Sequence, residues 1–181
     1  KMKAREGTVV DADELLAEMA EAAKEMATEL GKVEDLSEAE NAALFKRVGY
    51  GAIKYFLLKV SPQKSMMFDP KASIDFIGNT GPFIQFNFVR AKSVLRKSEE
   101  LHGALSASTL DASVWDQTEL RIIQLGLHWP NVLKQSASEC DPSLIANHCY
   151  EFTKAYSRWY QDHPILQIED ESLRVARTTI C

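Results

Sequence analysis

Apolar residues recur at helical spacing along almost the whole chain, and polar breaks bearing glycine or proline cut the pattern into segments. Leu15, Leu16, Met19, Ala23, Met26 and Leu30 form one stripe of a helix over 11–30. Asp11 and Asp13 bring acceptors and negative charge to its positive end, and Gly31 offers a left-handed cap at its finish. Ser37 followed by Glu40 is a capping box that opens a second helix, with Leu44, Phe45, Val48, Ala52, Ile53, Phe56, Leu57 and Val60 on its apolar face. Ser61-Pro62 stops it, because the residue before proline avoids helical backbone angles. A connector with Met66, Met67 and Phe68 follows. Asp69-Pro70 then predicts a short helix over 70–76, and Gly78-Asn79-Thr80-Gly81-Pro82 a turn that launches a helix over 81–101 carrying Phe83, Ile84, Phe86, Val94, Leu95 and Leu101.

Residues 102–112 are small and polar and read as a surface loop. Asp116 with Glu119 repeats the cap signature ahead of Leu120, Ile123, Leu127 and Trp129. Pro130 is expected to break that helix, with a short one continuing to about 138. Asp141-Pro142 starts the next, whose apolar and aromatic positions include Leu144, Ile145, Tyr150, Phe152, Tyr156, Trp159 and Tyr160; Pro164 ends it, and a last helix begins near Asp170 and runs to Cys181. Six or seven helices with short connections and no strand pair predict an all-α fold, a helical bundle. A seam near residues 61–69 is the candidate boundary, with helices on both sides able to pack together.

Composition narrows the class. A length of 181 residues, 45% hydrophobic and 26% charged, suits one globular domain or one and a half. No apolar run approaches the ~20 residues that span a bilayer, so no membrane segment is expected. Three cysteines, an odd number without a CxxC pair and without histidine at ligand spacing, predict free thiols in the cytoplasm and no metal site. His163 beside Asp162 reads as an exposed pair in a turn. No Ser–His–Asp order, phosphate loop or carboxylate pair suggests a hydrolase. The chain opens on lysine, as a piece cut from a longer protein would.

A net charge of −5 argues against a general nucleic-acid binder. Residues 62–110 nonetheless carry 6 basic against 4 acidic side chains, and Arg90, Lys92, Arg96 and Lys97 form an island with no acid among them. Such a concentration suits phosphates, whose neutralisation drives most nucleic-acid affinity; a solvated helix face is the plainer alternative. The aromatic group Tyr150, Tyr156, Trp159 and Tyr160 has the same two readings, core or a platform for unstacked bases. Consecutive Trp159 and Tyr160 cannot both point inward along a helix, so at least one ring faces outward. Trp115, beside the loop, is a further platform candidate, and Asn147, Arg158, Arg174 and Arg177 are candidate polar contacts, Arg174 equally a partner in a structural ion pair.

Four segments in order carry a resemblance. The opening Lys1-Met2-Lys3-Ala4-Arg5-Glu6-Gly7-Thr8-Val9-Val10 resembles the KMSKS loop of class I aminoacyl-tRNA synthetases and the Gly-Thr-Val-Val that follows it in arginyl enzymes. Val48 to Phe56 and Phe76 to Arg90, with Gly78-Asn79-Thr80-Gly81-Pro82 at its centre, are similar to segments of the arginyl family. Trp159-Tyr160, then Pro164-Ile165-Leu166 and Glu171-Ser172-Leu173-Arg174, resemble the end of a DALR-type anticodon-binding domain. The resemblance implies a C-terminal fragment of an arginyl-tRNA synthetase. Residues 1–10 would be a remnant of the catalytic domain, 11–68 connecting helices, and 69–181 a DALR-type domain shortened at its end. The parent would join arginine to its tRNA using ATP with magnesium, work as a monomer in the cytoplasm, and keep its nucleotide-binding fold in the missing catalytic domain. The fragment would need no cofactor and catalyse nothing alone. Lys1, Lys3 and Arg5 would be the cations of the ATP-phosphate loop, where the motif's second lysine is replaced by Ala4. Asn79, Thr80, Gln85, Arg90, Lys92, Arg96, Lys97, Trp115, Asn147, Tyr150, Arg158, Tyr160 and Arg174 would meet tRNA. The rival from another class is a helical protein-interaction domain without RNA.

Overall fold

The computed structural model describes residues 11–29, 36–67, 69, 72–73, 75, 77–103 and 115–181. Six helices follow one another: α1 (Ala12–Glu29), α2 (Glu38–Leu58), α3 (Gly81–His102), α4 (Gln117–Glu139), α5 (Ser143–Asp162) and α6 (Glu171–Ile180), with no strand among the described residues. The expected all-α architecture is the observed one. Of the short helix expected over 70–76, residues 72 and 73 are described and helical.

The chain divides into two compact units, Lys1–Phe83 and Ile84–Cys181. In the first, α1 and α2 close around Met19, Ala23, Phe45, Ala52 and Ile53, with Leu15, Leu16, Met26 and Val48 packed on this cluster. Ser37 caps α2 as its sequence dictates: its hydroxyl accepts from the Glu40 amide, and the Glu40 carboxylate accepts from the Ser37 amide at 3.0 Å. Gly49 sets the approach of the two helices, since a Cβ there would lie 2.5 Å from the Met19 carbonyl oxygen.

The turn before α3 belongs to this unit and explains why its residues are what they are. Gly78 sits at φ 91°, a left-handed conformation that costs glycine nothing. A Cβ on Gly81 would meet the Gly51 carbonyl oxygen at 2.7 Å. The Thr80 hydroxyl donates to the Asp75 carbonyl and accepts from the Phe83 amide at 3.3 Å, capping the helix. Tyr55 donates to Asn79 Oδ1 at 2.6 Å, and Lys59 Nζ to the Asn79 carbonyl at 2.8 Å. These ties from α2 hold the turn in the first unit, so the division falls in the first turn of α3; the hydrophobic pattern had suggested a seam near 61–69.

The second unit packs α3, from Ile84 on, with α4, α5 and α6 around Val94, Ile122, Tyr156, Trp159 and Ile165. α4 runs unbroken through Pro130, against the expected break. Proline removes one amide and crowds the carbonyl four residues back, at ~3 kcal/mol in a helix interior. Here that carbonyl belongs to Gly126, which has no side chain to resist tilting, and the buried face continues on both sides of the proline through Leu125, Val132 and Ser136. α4 ends at Glu139, after which Cys140 turns left-handed at φ 50° and the Asp141 amide donates to the Ser136 carbonyl at 3.1 Å. Asp170 caps α6, accepting from the Leu173 amide at 3.1 Å.

Candidate nucleic-acid interface

The second unit is held by one buried carboxylate. Glu119 is fully buried at the start of α4. Its Oε2 accepts from the Asp116 amide at 2.9 Å, which is the capping role the sequence announced. Its Oε1 accepts from Trp159 Nε1 at 3.2 Å and pairs with Arg177 Nε at 2.8 Å, so α4, α5 and α6 meet on a single side chain. Arg177 also donates to the Pro164 carbonyl at 3.0 Å. Beside this network His163 bonds to Asp116 at 2.7 Å and stacks on Trp159, ring centroids 5.9 Å apart. The expected exposed His163–Asp162 pair is therefore corrected: the ring turns back over α5 towards α4. Asp116 is partly desolvated, which acts upward on its carboxyl, but hydrogen bonds from the Thr118 side chain, the Glu119 amide, His163 and the Thr118 amide outweigh this and hold it well below the usual carboxylate range. The ligand atoms of Asp116, Glu119 and His163 lie within 4.8 Å of one another. A guanidinium already faces Glu119, however, so the group is a hydrogen-bond network and not an open cation site.

The last turn of α5 and the segment after it form an open cleft of about 420 Å³, lined by Val94, Tyr160, Gln161, Asp162, His163, Leu166 and Gln167 among others. Tyr156 and Trp159 point into the core at 4% and 1% exposure, whereas Tyr160 is half-buried at the cleft wall. That is the division expected of adjacent aromatic positions. Arg90 backs the Tyr160 ring: its guanidinium carbon lies 4.7 Å from that centroid and 4.6 Å from the Phe86 centroid. It also donates to Asn87 Oδ1 at 3.0 Å and Ser157 Oγ at 3.5 Å. A cation held between two rings and two oxygens fixes the orientation of Tyr160.

The cationic island thus separates. Arg90 is half-buried and engaged, while Lys92, Arg96 and Lys97 are exposed along α3, Lys92 with its ammonium 5.8 Å from the Phe88 ring. Lys97 lies one turn along from Val94 of the cleft wall. On α5, Arg158 is exposed, Tyr150 is half-buried with Lys154 Nζ 5.8 Å from its ring, and Asn147 donates to the Ser143 carbonyl at 2.8 Å. Trp115 is half-buried just ahead of Asp116. Arg174 donates to the Ile168 carbonyl at 2.9 Å, bracing the segment between α5 and α6. Asn79 and Thr80 hold the turn before α3, and Gln85 is half-buried in its second turn. Lys1, Lys3 and Arg5 lie outside the described residues.

Sequence reasoning missed the cleft residues Gln161 and Gln167, polar positions flanking a helix end with nothing local to mark them. It also took Glu119 for a cap alone, although the residue is in phase with the buried Ile122 and Leu125. A second cleft, of about 440 Å³, is lined mainly by apolar groups including Phe88, Trp129, Phe152 and Tyr156, the last of them one of the candidate platform rings.

Comparison with known proteins bears on the family and the fold. The chain is 46% identical over 181 residues to the arginine–tRNA ligases of Phocaeicola vulgatus and of Bacteroides thetaiotaomicron, covering 99% of this chain and 30% of each relative. It is 44% identical over 185 residues to that of Flavobacterium psychrophilum, covering 29% of it. The chain thus spans about 30% of the length of the curated relatives it matches. In fold it is similar to Thermus thermophilus arginyl-tRNA synthetase, with a TM-score of 0.82 at 24% identity over 95% of this chain and 29% of that one. Arginyl-tRNA synthetase from Plasmodium falciparum gives 0.75 at 19% identity over 96% and 30%. The family model for the DALR anticodon binding domain matches residues 84–181, the same residues that pack as the second unit. The chain belongs to the DALR anticodon-binding domain family.

Proposed function

We propose that this chain is the tRNA-holding, C-terminal part of an arginine–tRNA ligase, and that the cleft at Tyr160 receives an unstacked base of arginine tRNA. The observation that carries the reading is the Tyr160 ring, half-buried at the wall of a cleft lined by both polar and apolar groups and held by Arg90. A π-face offered to a single-stranded loop is worth about 1–3 kcal/mol per stacked base. The amides of Gln161 and Gln167 supply the donors and acceptors that base edges need. Lys92, Arg96 and Lys97, exposed on α3 within one turn of Val94 at the cleft wall, meet phosphates. In this reading Arg90 acts through Tyr160 and not on phosphate. Trp115, Asn147, Tyr150 and Arg158 extend the surface along α4 and α5; Asn79, Thr80 and Gln85 lie at the start of α3.

In the same proposal residues 11–68 connect this domain to a catalytic domain of the full-length enzyme, which forms arginyl-tRNA from arginine and ATP with magnesium in the cytoplasm and acts as a monomer. Lys1, Lys3 and Arg5 belong to its ATP-phosphate loop, where positive charge stabilises departing pyrophosphate. The 181 residues alone are expected to give no ATP–pyrophosphate exchange, and measurable exchange would refute that.

The binding test uses arginine tRNA and a non-cognate tRNA between about 50 and about 200 mM salt, where each neutralised phosphate contributes ~0.9 to the slope of log affinity against log salt. Replacing Lys92, Arg96 and Lys97 together by alanine is expected to flatten the slope by roughly 2.7, three times that amount. An unchanged slope, or equal affinity for every tRNA, contradicts the proposal and leaves a protein-interaction role.

A further inference from the structure

Charge in the first unit is sorted by helix. α1 carries six acids against the single cation Lys24, which is itself paired with Glu21 at 2.9 Å. Asp13, Glu14, Glu18, Glu21 and Glu25 are exposed. The acids of α2, Glu38 and Glu40, are confined to its first turn, where the Glu40 carboxylate accepts from the Ser37 amide at 3.0 Å. From Asn41 to Phe68 the sequence holds five cations, Lys46, Arg47, Lys54, Lys59 and Lys64, and no acid, in a chain whose net charge is −5. This run is more strongly cationic than the island of four from Arg90 to Lys97.

Packing decides which of these charges face outward. Phe45, Gly49, Ala52 and Ile53 form the buried face of α2. Arg47 and Lys54 fall on the opposite face, seven residues apart and so about 10 Å along the axis at ~1.5 Å per residue; both are exposed, and the exposed Lys46 flanks them. Neither Lys46 nor Lys54 pairs with a carboxylate among the described residues. Lys59 is engaged elsewhere, donating to the Asn79 carbonyl at 2.8 Å. The face offers no ring for stacking: every exposed residue between Asn41 and Leu58 is aliphatic or cationic, and Tyr50, Tyr55 and Phe56 are half-buried. A single-stranded loop is gripped by rings and charge together. A duplex keeps its bases inside and presents phosphates and 2′-hydroxyls, so exposed cations without rings suit its backbone. The acids of α1 repel that backbone and leave α2 as the side on which it can approach.

We infer that the outer face of α2, through Lys46, Arg47 and Lys54, is a second RNA surface that holds the phosphate backbone of a paired stem of the tRNA. The inference rests on the functional reading above and goes beyond it, since it gives residues 11–68 a grip on RNA as well as a connecting role. The two surfaces divide the work by chemistry: the Tyr160 cleft takes an unstacked base, and α2 takes paired backbone without reading sequence.

The test compares the native chain with Lys46→Gln/Lys54→Gln. Both positions are exposed, so the far-ultraviolet dichroism is expected to stay the same. Two lost phosphate contacts, at ~0.9 each, should flatten the salt slope of arginine tRNA binding by roughly 1.8. Between about 50 and about 200 mM salt the variant should then lose about tenfold less affinity than the native chain does. Lys46→Arg/Lys54→Arg keeps both charges and should keep the slope. Iodine cleavage of phosphorothioate tRNA is expected to show the native chain shielding phosphates of a paired stem. In the glutamine variant those become cleavable while loop phosphates stay shielded. An unchanged slope in the glutamine variant overturns the inference and leaves α2 as a face for protein; the functional reading then stands if replacing Lys92, Arg96 and Lys97 still flattens the slope. Shielding lost from a single-stranded loop overturns the assignment to a stem. A native chain that binds no tRNA at any salt refutes the functional reading, and the role of α2 with it.

Discussion

Replacing Arg177 by alanine should unfold the second unit far more easily than its place on a half-exposed terminal helix suggests. The loss leaves Glu119, a fully buried carboxylate, without its 2.8 Å cationic partner. Breaking a buried pair from one side costs about 3–5 kcal/mol, because the remaining charge stays desolvated. Two donors remain on Glu119, the Asp116 amide and Trp159 Nε1, and the Arg177 side chain is itself 13% exposed, so the lower end of about 3 kcal/mol applies. In a unit of 98 residues (84 to 181) each kcal/mol moves the midpoint by about 4–8 °C, giving a fall of roughly 12–24 °C. The assay is selective. Trp115, Trp129 and Trp159 all lie in this unit, so a fluorescence melt follows it alone while far-ultraviolet dichroism follows both units. The decisive comparison is the double variant Glu119→Leu/Arg177→Met, which removes both charges and keeps the volume. It should cost clearly less than the two single losses added together, what remains being the lost capping bond and the Trp159 Nε1 left without its acceptor, because apolar replacement of the buried pair itself is nearly neutral. A cost below about 1 kcal/mol for Arg177→Ala, or a double variant as unstable as the two single losses added together, would refute the reasoning.

Three further outcomes follow from the same geometry. Gly49→Ala sets a Cβ 2.5 Å from the Met19 carbonyl oxygen and should destabilise the first unit by about 1–3 kcal/mol, seen as an earlier dichroism transition with an unchanged tryptophan melt. Tyr160→Phe should retain arginine tRNA affinity within about threefold, while Tyr160→Ala loses about 1–3 kcal/mol of it with helix content preserved; equal losses in both would point to the hydroxyl and against stacking. Asp116 has a folded-state carboxyl held below its unfolded value, so its contribution is complete above about pH 4 and is lost as pH falls through the folded value; Asp116→Asn should remove that part of the acid sensitivity, read from midpoints between about pH 5 and about pH 2. Its side chain is 47% exposed, so the effect is smaller than for a buried carboxylate.

What the sequence could and could not announce depends on how far along the chain a residue's partner lies. Ser37 with Glu40, and Asp116 with Glu119, satisfy each other within one turn, so their spacing alone predicts both helix starts. Pro130 is a local rule overruled by a local exception four residues away, at Gly126, and by a buried face that continues across it. His163 was misread because its partner Asp116 is 47 residues distant, and the nearer Asp162 offered a plausible substitute. Glu119 shows the limit most clearly. One carboxylate oxygen performs the cap that the spacing revealed, and the other performs the inter-helix pairing that it could not, with Arg177 58 residues away.

The same principle bears on the candidate interface. Arg90, Lys92, Arg96 and Lys97 are equivalent as a charge pattern. Folding makes them unequal, because Arg90 falls in phase with Phe86 and comes against Tyr160 and Ser157 of α5. A guanidinium clamped in that way has given up the mobility and hydration that let a surface cation find a phosphate, and its charge is expressed through the ring it holds. Arg90→Lys should therefore separate the two roles. The charge is kept, so the salt slope of tRNA binding should stay within about 0.5 of the native value, well short of the ~0.9 that a lost phosphate contact removes. The planar stack on both rings is lost, so affinity should fall by about the 0.5–2 kcal/mol typical of a cation–π contact. A full unit lost from the slope, with affinity changed only in proportion, would mean that Arg90 touches phosphate after all and that Tyr160 stands without its help.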